Sequence, residues 1–475
     1  MSTSHLNPDT HDNYTLQYRW CQQIRSLNVL SDQKRFYDLQ YKKGILILKQ
    51  HSNKNEVKYN PFEDATVYKQ TFDDKFLYPF KEPKSLNEAA LIMKGSAGRL
   101  TKLMKKAAAG EDINLAVLGG SITEGSGRSD GNYYGDLLNR WFQSKYPNCK
   151  ITYTNVGRGT TTSLFGCARV ERDVAPLNCD MIVVEYSVND LILEPHIARE
   201  AFEALLRKLL MLPSLPYIFV LFSCMGSLGN TQELDIPICK YYDIPCASLA
   251  DALKWHLKQD FGTDYENKMT ENDISDYIVS NFIYDGCHPN TYGYSLLADF
   301  ITFAIEYSEK ELTLNETTDP LPEAPLYSLR FMDSHIESNE SLTVVENSGW
   351  KKADKEEPYR ERGFIADEPG ASITFAFECR MLTMVTRRSV NPKTGSVEVS
   401  IDNGDPFLLD GYFHNGWGTH NDYRVIIDSA EKKRHTVTVK FTGKPSKEGL
   451  EKAEADGLPH TIVGSRFIIS EFLPS

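Results

Sequence analysis

The sequence predicts a doubly wound α/β unit followed by an antiparallel β-sandwich of jelly-roll type, on three observations. Residues 113–307 alternate short apolar runs with longer segments of helical period, the pattern of a parallel sheet covered by helices on both faces. An acidic, proline-containing stretch at 315–325 (NETTDPLPEAP) then breaks that pattern. Beyond it the apolar period shortens to the alternation of strands, with turn-forming residues between them.

Taken in order, residues 1–90 form an N-terminal segment in which 44–49 (GILILK) reads as a strand and 85–108 as helix. This segment either extends the sandwich or forms a small cap. The α/β unit occupies 91–312, with strands at 113–118 (INLAVL), 151–156 (ITYTNV), 181–187 (MIVVEYS), 217–223 (YIFVLFS) and the shorter 243–249 (DIPCASL). Apolar residues at i, i+3, i+4 spacing predict helices over 133–145, 164–174, 197–212, 249–257 and 291–307. Residues 313–329 read as a linker. In the β-domain, 330–475, strands are expected at 371–378, 381–387, 396–402, 423–428, 435–442 and 462–472, with a tight turn at Asp402-Asn403-Gly404.

Length and composition limit what such a chain can do. At roughly 100–200 residues per domain, 475 residues imply two or three domains. A net charge of −13 argues against a general nucleic-acid or anionic-membrane surface, because phosphates are repelled at long range. The most apolar run, 217–225 (YIFVLFSCM), is far short of the ~18–20 residues a membrane span needs. The nine cysteines form no C-x-x-C pair, and the polar first residues lack a signal-peptide pattern, so a reduced, cytoplasmic setting is expected. No pattern sets the oligomeric state.

The first α/β strand runs into Gly119-Gly120-Ser121-Ile122-Thr123-Glu124-Gly125, placing a serine at the carboxyl end of a parallel strand, where open α/β sheets bind ligands. A phosphate loop is excluded: Gly120 and Gly125 have the spacing, but Ser126 and Gly127 stand where Lys and Ser/Thr are required. A plain strand-to-helix turn remains the bland alternative. The segment Asp285-Gly286-Cys287-His288-Pro289-Asn290 changes that balance. With His288 three positions after Asp285, one carboxylate can receive the imidazole Nδ1–H from its own loop and leave Nε2 for a serine hydroxyl. Metal binding is the rival for this pair, but none of the eleven histidines has a second at helical spacing, so no metal is expected. Two further segments end strands: Asn155-Val156-Gly157-Arg158-Gly159-Thr160 and Tyr186-Ser187-Val188-Asn189-Asp190. Each suits an oxyanion hole, and each alone would also suit a turn or a helix cap.

Together the four blocks, in this order, resemble the SGNH (GDSL-like) hydrolase family over roughly residues 114–305. The resemblance implies a flavodoxin-like, three-layer α/β/α fold and an ester hydrolase that needs no cofactor. Ser121 would be the nucleophile, His288 the general base and then acid, and Asp285 the carboxylate that orients it. Ser121, Gly159 and Asn189 would form the oxyanion hole. The first block reads Gly-Gly-Ser-Ile-Thr instead of Gly-Asp-Ser-Leu, as in carbohydrate-esterase branches of the family. Thr160 stands where many relatives have glycine, which leaves the second donor open between the amides of Gly159 and Thr160.

The expected substrate is an acetylated oligosaccharide or another small ester. Both the Gly-Gly-Ser-Ile-Thr block and the β-domain look like those of carbohydrate acetyl esterases. The small, polar residues 125–132 (GSGRSDGN) favour a short acyl group over a lipid chain. Trp417 and Trp350 could stack on a sugar, although a tryptophan in a β-sandwich is more often core. The alternatives are a lipase- or thioesterase-like activity on other esters, and a non-catalytic carbohydrate-binding protein.

Overall fold

The computed structural model of the protein describes residues 37–42, 45–50, 77–125, 132–310, 312, 321–352, 363–391, 394–413, 419–445, 447–455 and 466–475. Trp417, most of the 125–132 loop, the first part of the expected linker and most of the N-terminal segment lie outside these residues. Of that segment, strands β1 (Tyr37–Lys42) and β2 (Ile45–Gln50) pair antiparallel, so the expected 44–49 strand falls on β2.

The α/β unit is built on six strands: β3 (Leu91–Met93), β4 (Ile113–Gly119), β5 (Ile151–Asn155), β6 (Met181–Glu185), β7 (Tyr217–Phe222) and β8 (Cys246–Ser248). Their order is β3-β8-β7-β6-β4-β5, with all pairs parallel except β3 on β8. Successive residues serve opposite faces, as a period of two requires. Leu115, Val117, Met181, Val183, Phe219 and Leu221 enter one core, beneath helices Ala97–Ala109, Tyr134–Lys145, Leu249–Phe261 and Thr291–Glu309. Ala116, Leu118, Ile182, Val184, Ile218 and Val220 enter the other, beneath Ser163–Ala168, Pro195–Leu210 and Gln232–Tyr241.

The expected helix over 85–108 is broken. A short helix, Leu86–Ala90, leads into β3, and a new helix, Ala97–Ala109, starts after Gly95. Leu91, Ile92 and Met93 are all buried at the sheet edge, so their burial prevails over helical period. Gly95 has φ +68, and a Cβ there would lie 2.4 Å from Pro245. The sheet therefore has a sixth strand beyond the five expected. The helix expected over 164–174 also ends early, at Ala168, and continues as a π-helical turn over Val170–Val174.

The β-domain is all antiparallel: β9 (Thr343–Ser348), β10 (Lys351–Lys352), β11 (Phe364–Ala366), β12 (Ser372–Ser389), β13 (Gly395–Ile401), β14 (Phe407–Asp410), β15 (Thr419–Pro445) and β16 (Phe467–Pro474). Expected strands 371–378 and 381–387 are one continuous strand, β12, and 423–428 and 435–442 likewise join in β15. Bulges at Cys379/Met381 and Leu382/Thr383 bend the pair, so its two halves take different neighbours: β9 on one, β16 on the other. Asp402 and Asn403, both at positive φ, make the type I′ geometry of a two-residue turn, with Gly404 N–H donating to Ile401 C=O at 2.8 Å. Trp350 lies in this domain's core with Phe375, Val399 and Phe441.

The two domains share a core. Met381, Val385, Tyr423 and Leu473 pack into the apolar layer formed by helices Ser163–Ala168 and Pro195–Leu210. The second half of the expected linker is a docked strap. The Glu203 carboxylate accepts the amides of Leu326, Tyr327 and Ser328, while Arg207, one turn along the same helix, donates to the carbonyls of Pro322, Glu323 and Ala324. Lys208, also buried, donates to Ser334 C=O at 2.7 Å.

Candidate active site

Strand β4 has β5 on one side and β6 on the other, so its carboxyl end is the point where the winding of the sheet reverses and a crevice opens. Ser121 sits there, at the start of the short helix Ser121–Glu124. The two glycines before it are demanded by close approach. A Cβ on Gly119 would lie 2.3 Å from Glu185 C=O, and one on Gly120 2.7 Å from Asn189 Nδ2.

The Asp285–His288 turn meets Ser121 from the other end of the unit. Gly286, at φ +86, reverses the chain, and the Asp285 Oδ1 accepts the amides of Cys287 at 3.0 Å and His288 at 2.7 Å. Asp285 Oδ2 stands 2.7 Å from His288 Nδ1, and His288 Nε2 stands 2.8 Å from Ser121 Oγ. Burial pushes the Asp285 carboxyl up, but the His288 imidazole and the two amides outweigh it and hold it below the usual carboxylate range. An ionised Asp285 can only accept, so the proton of a neutral His288 belongs on Nδ1 and Nε2 is left to accept from the serine. Asn290 then caps helix Thr291–Glu309, its side chain accepting Gly293 N–H at 2.9 Å.

The second and third blocks border the serine. Gly159 lies so close that a Cβ on it would be 3.7 Å from Ser121 Cβ. Its N–H donates to Glu124 Oε2 at 2.9 Å, so of the two amides the sequence leaves open, this one already has an acceptor. Thr160 has φ +58, a left-handed conformation that costs a β-branched residue of order 1–3 kcal/mol and persists only where its surroundings impose it. Asn189 follows β6, lies against Gly120 and donates one Nδ2 hydrogen to Thr161 C=O at 2.7 Å, leaving the second amide hydrogen as a donor. Thr161 Oγ1 donates to Arg158 C=O at 2.7 Å, and Asp190 Oδ1 accepts Ser163 N–H at 2.8 Å.

Beneath the site lie two buried carboxyls. Burial pushes Glu185 and Asp190 each up to about 7, against the opposing hydrogen bonds of Ser187 and Ser163 respectively. Both are therefore largely neutral under mildly acidic conditions, unlike Asp285. Among the described residues no cluster of three His, Cys, Asp or Glu side chains could hold a metal ion, and no helix is long and apolar enough to cross a membrane.

All five residues expected from sequence thus gather at the carboxyl end of β4. Two others were not anticipated. Glu124 lies inside the first block, but nothing in its spacing marks it as the acceptor for Gly159. Tyr423 is 263 residues from Thr160 and comes from the β-domain, yet its hydroxyl donates to Thr160 C=O at 3.1 Å. No local pattern carries such a contact.

No protein-family model and no curated protein sequence matches the chain. Among solved structures it is similar to a two-domain esterase (CEX) active on acetylated mannans, with 26% identity and a TM-score of 0.67, over 82% of this chain and 98% of that one. A structure of a two-domain esterase (CEX) co-crystallised with mannopentaose gives 25% identity and a TM-score of 0.66, over 82% and 97%. The likeness spans both domains, so the pairing of an α/β hydrolase unit with an antiparallel β-domain is shared.

Proposed function

We propose that the chain is a serine esterase that removes short acyl groups, acetyl foremost, from carbohydrates through a Ser121–His288–Asp285 triad. The observation that carries this reading is the unbroken hydrogen-bonded string from Ser121 Oγ through His288 to Asp285, at the sheet position where ligands bind. The likeness, over 82% of this chain, to an esterase active on acetylated mannans supports the carbohydrate class.

The chemistry follows from the atoms. Ser121 Oγ attacks the ester carbonyl carbon as its proton passes to His288 Nε2, and Asp285 holds the imidazole in orientation and steadies its positive charge. The carbonyl oxygen, now negative, receives N–H donors from Ser121, from Asn189 Nδ2 and from the 159–160 segment. Because Gly159 N–H is bonded to Glu124, Thr160 is the amide we assign there. The tetrahedral centre collapses, the alcohol leaves with the proton from His288, and water, deprotonated by the same imidazole, cleaves the acyl-serine.

The test is time-resolved NMR of acetate release from acetylated manno-, xylo- and gluco-oligosaccharides, with Ser121→Ala alongside. The expected result is serine-dependent loss of particular acetyl signals, with Ser121→Ala slower by at least about 10³-fold. Hydrolysis of a small aryl acetate without release from any oligosaccharide would retain the triad and overturn the sugar reading. No turnover of either would favour a binding protein.

A further inference from the structure

We infer that Tyr423 of the β-domain is a positioning residue for the oxyanion hole: its hydroxyl, bonded to the Thr160 carbonyl, holds the 159–161 turn in the conformation that presents a backbone N–H to the reacting oxygen. The inference rests on the esterase reading above.

Three observations combine. Thr160 sits at φ +58, where a β-branched residue does not stay unless held. Its neighbours within the α/β unit hold the turn at the flanking positions: Glu124 at the Gly159 amide, Asn189 at the Thr161 carbonyl, and Asp190 at the Ser163 amide. The Thr160 carbonyl accepts from Tyr423, which fixes the 160–161 peptide plane, while Glu124 fixes the 158–159 plane through the Gly159 amide, so the plane between them, which carries the Thr160 N–H, is held from both sides. Tyr423 is itself fixed. It is buried, paired across β12 with Val385, and packed edge-on to Phe165 with ring centres 6.1 Å apart. Burial also pushes its phenol up, so it remains a donor throughout the working pH range. The β-domain therefore reaches the acyl-transfer site through one hydrogen bond and contributes to turnover even on an ester too small to touch that domain.

The experiment measures kcat, KM and the thermal midpoint of the full chain on 4-nitrophenyl acetate. Tyr423→Phe keeps the ring and its packing and removes only the hydroxyl. It is expected to lower kcat about 10-fold, a fraction of the 10²–10³ that follows loss of a whole oxyanion donor, with KM within about 2-fold of wild type. The same substitution is then made in Thr160→Gly, where glycine adopts positive φ without strain and the clamp loses its task. There Tyr423→Phe is expected to cost no more than about 2-fold. An unchanged kcat in Tyr423→Phe, or an equal loss in both backgrounds, would overturn the inference, since a merely structural hydroxyl would act alike in each. Turnover that survives Ser121→Ala would instead overturn the esterase reading and this inference with it.

Discussion

The Asp285–His288 turn and the 157–163 loop both border Ser121, and they are held in different ways. The turn is secured mostly from within: Asp285 accepts the amides two and three residues ahead of it and the imidazole of the same turn, and one backbone bond reaches it from outside, Gly226 N–H to Gly286 C=O at 2.8 Å. The loop has one internal bond, Thr161 Oγ1 to Arg158 C=O, and is otherwise secured from outside, by Glu124 after β4, Asn189 and Asp190 after β6, and Tyr423 of the other domain. A short turn can preset a proton path because few backbone angles separate its partners. An oxyanion hole needs donors from several strands, and so depends on how those strands and the β-domain pack.

The turn should carry the larger share of the rate. Asp285→Asn leaves the amides an acceptor but removes the lock on the imidazole tautomer, and is expected to lower kcat by about 10³–10⁴-fold with little change in the fold. Stopped-flow or steady-state hydrolysis of an aryl acetate measures it, and a loss under 10-fold would mean the turn does not govern proton transfer. On the loop side, Asn189→Ala should cost about 10²–10³-fold in kcat with KM nearly constant; an effect confined to KM would assign Asn189 to ground-state binding.

A third variant moves from the site to the seam between the domains. Glu203→Ala strips the acceptor from three strap amides and from the Tyr242 hydroxyl, and should destabilise the protein by about 2–4 kcal/mol. Urea unfolding reads this directly, and an unchanged midpoint would show that the strap does not hold the domains together.

The smallest expected effect concerns pH, where the two regions carry opposite signs. Asp285 is held below the usual carboxylate range, so its contribution to stability is present above the ordinary value and is lost as pH falls through the lowered one. Glu185 and Asp190, raised to about 7, behave inversely. From about pH 4 to 7 the unfolded chain releases protons that the folded chain retains, so stability from these groups declines as pH rises across that window. Asp190→Asn, which still accepts from Ser163, should therefore narrow the difference in thermal midpoint between pH 5 and pH 8. An undiminished difference would exclude Asp190 as a source of it.

Much of the site is legible in the chain because its chemistry is local. The three-residue spacing of Asp285 and His288 is visible without a structure, since it meets a hydrogen-bonding need within one turn; the glycine pair before Ser121 is visible too, but the close approaches that demand it come from Glu185 and Asn189, far along the chain. Thr160 is less legible: a threonine gives no sign of positive φ, which here goes with contacts from three other segments. Glu203 and Arg207 fall within the helix expected over 197–212, and no local pattern marks them as the residues that grip the segment expected as a linker.

By itself, then, the sequence determined the parallel sheet, the antiparallel domain and the residues around Ser121, because period-two burial and short-range hydrogen bonding are written in neighbouring residues. Only the tertiary structure decided that β3 joins the sheet, that β12 and β15 run unbroken through their bends, that residues 322–328 dock on helix Pro195–Leu210, and that Tyr423 reaches Thr160. Those outcomes depend on which buried surfaces and unpaired polar groups meet across long stretches of chain, and no local period encodes that meeting.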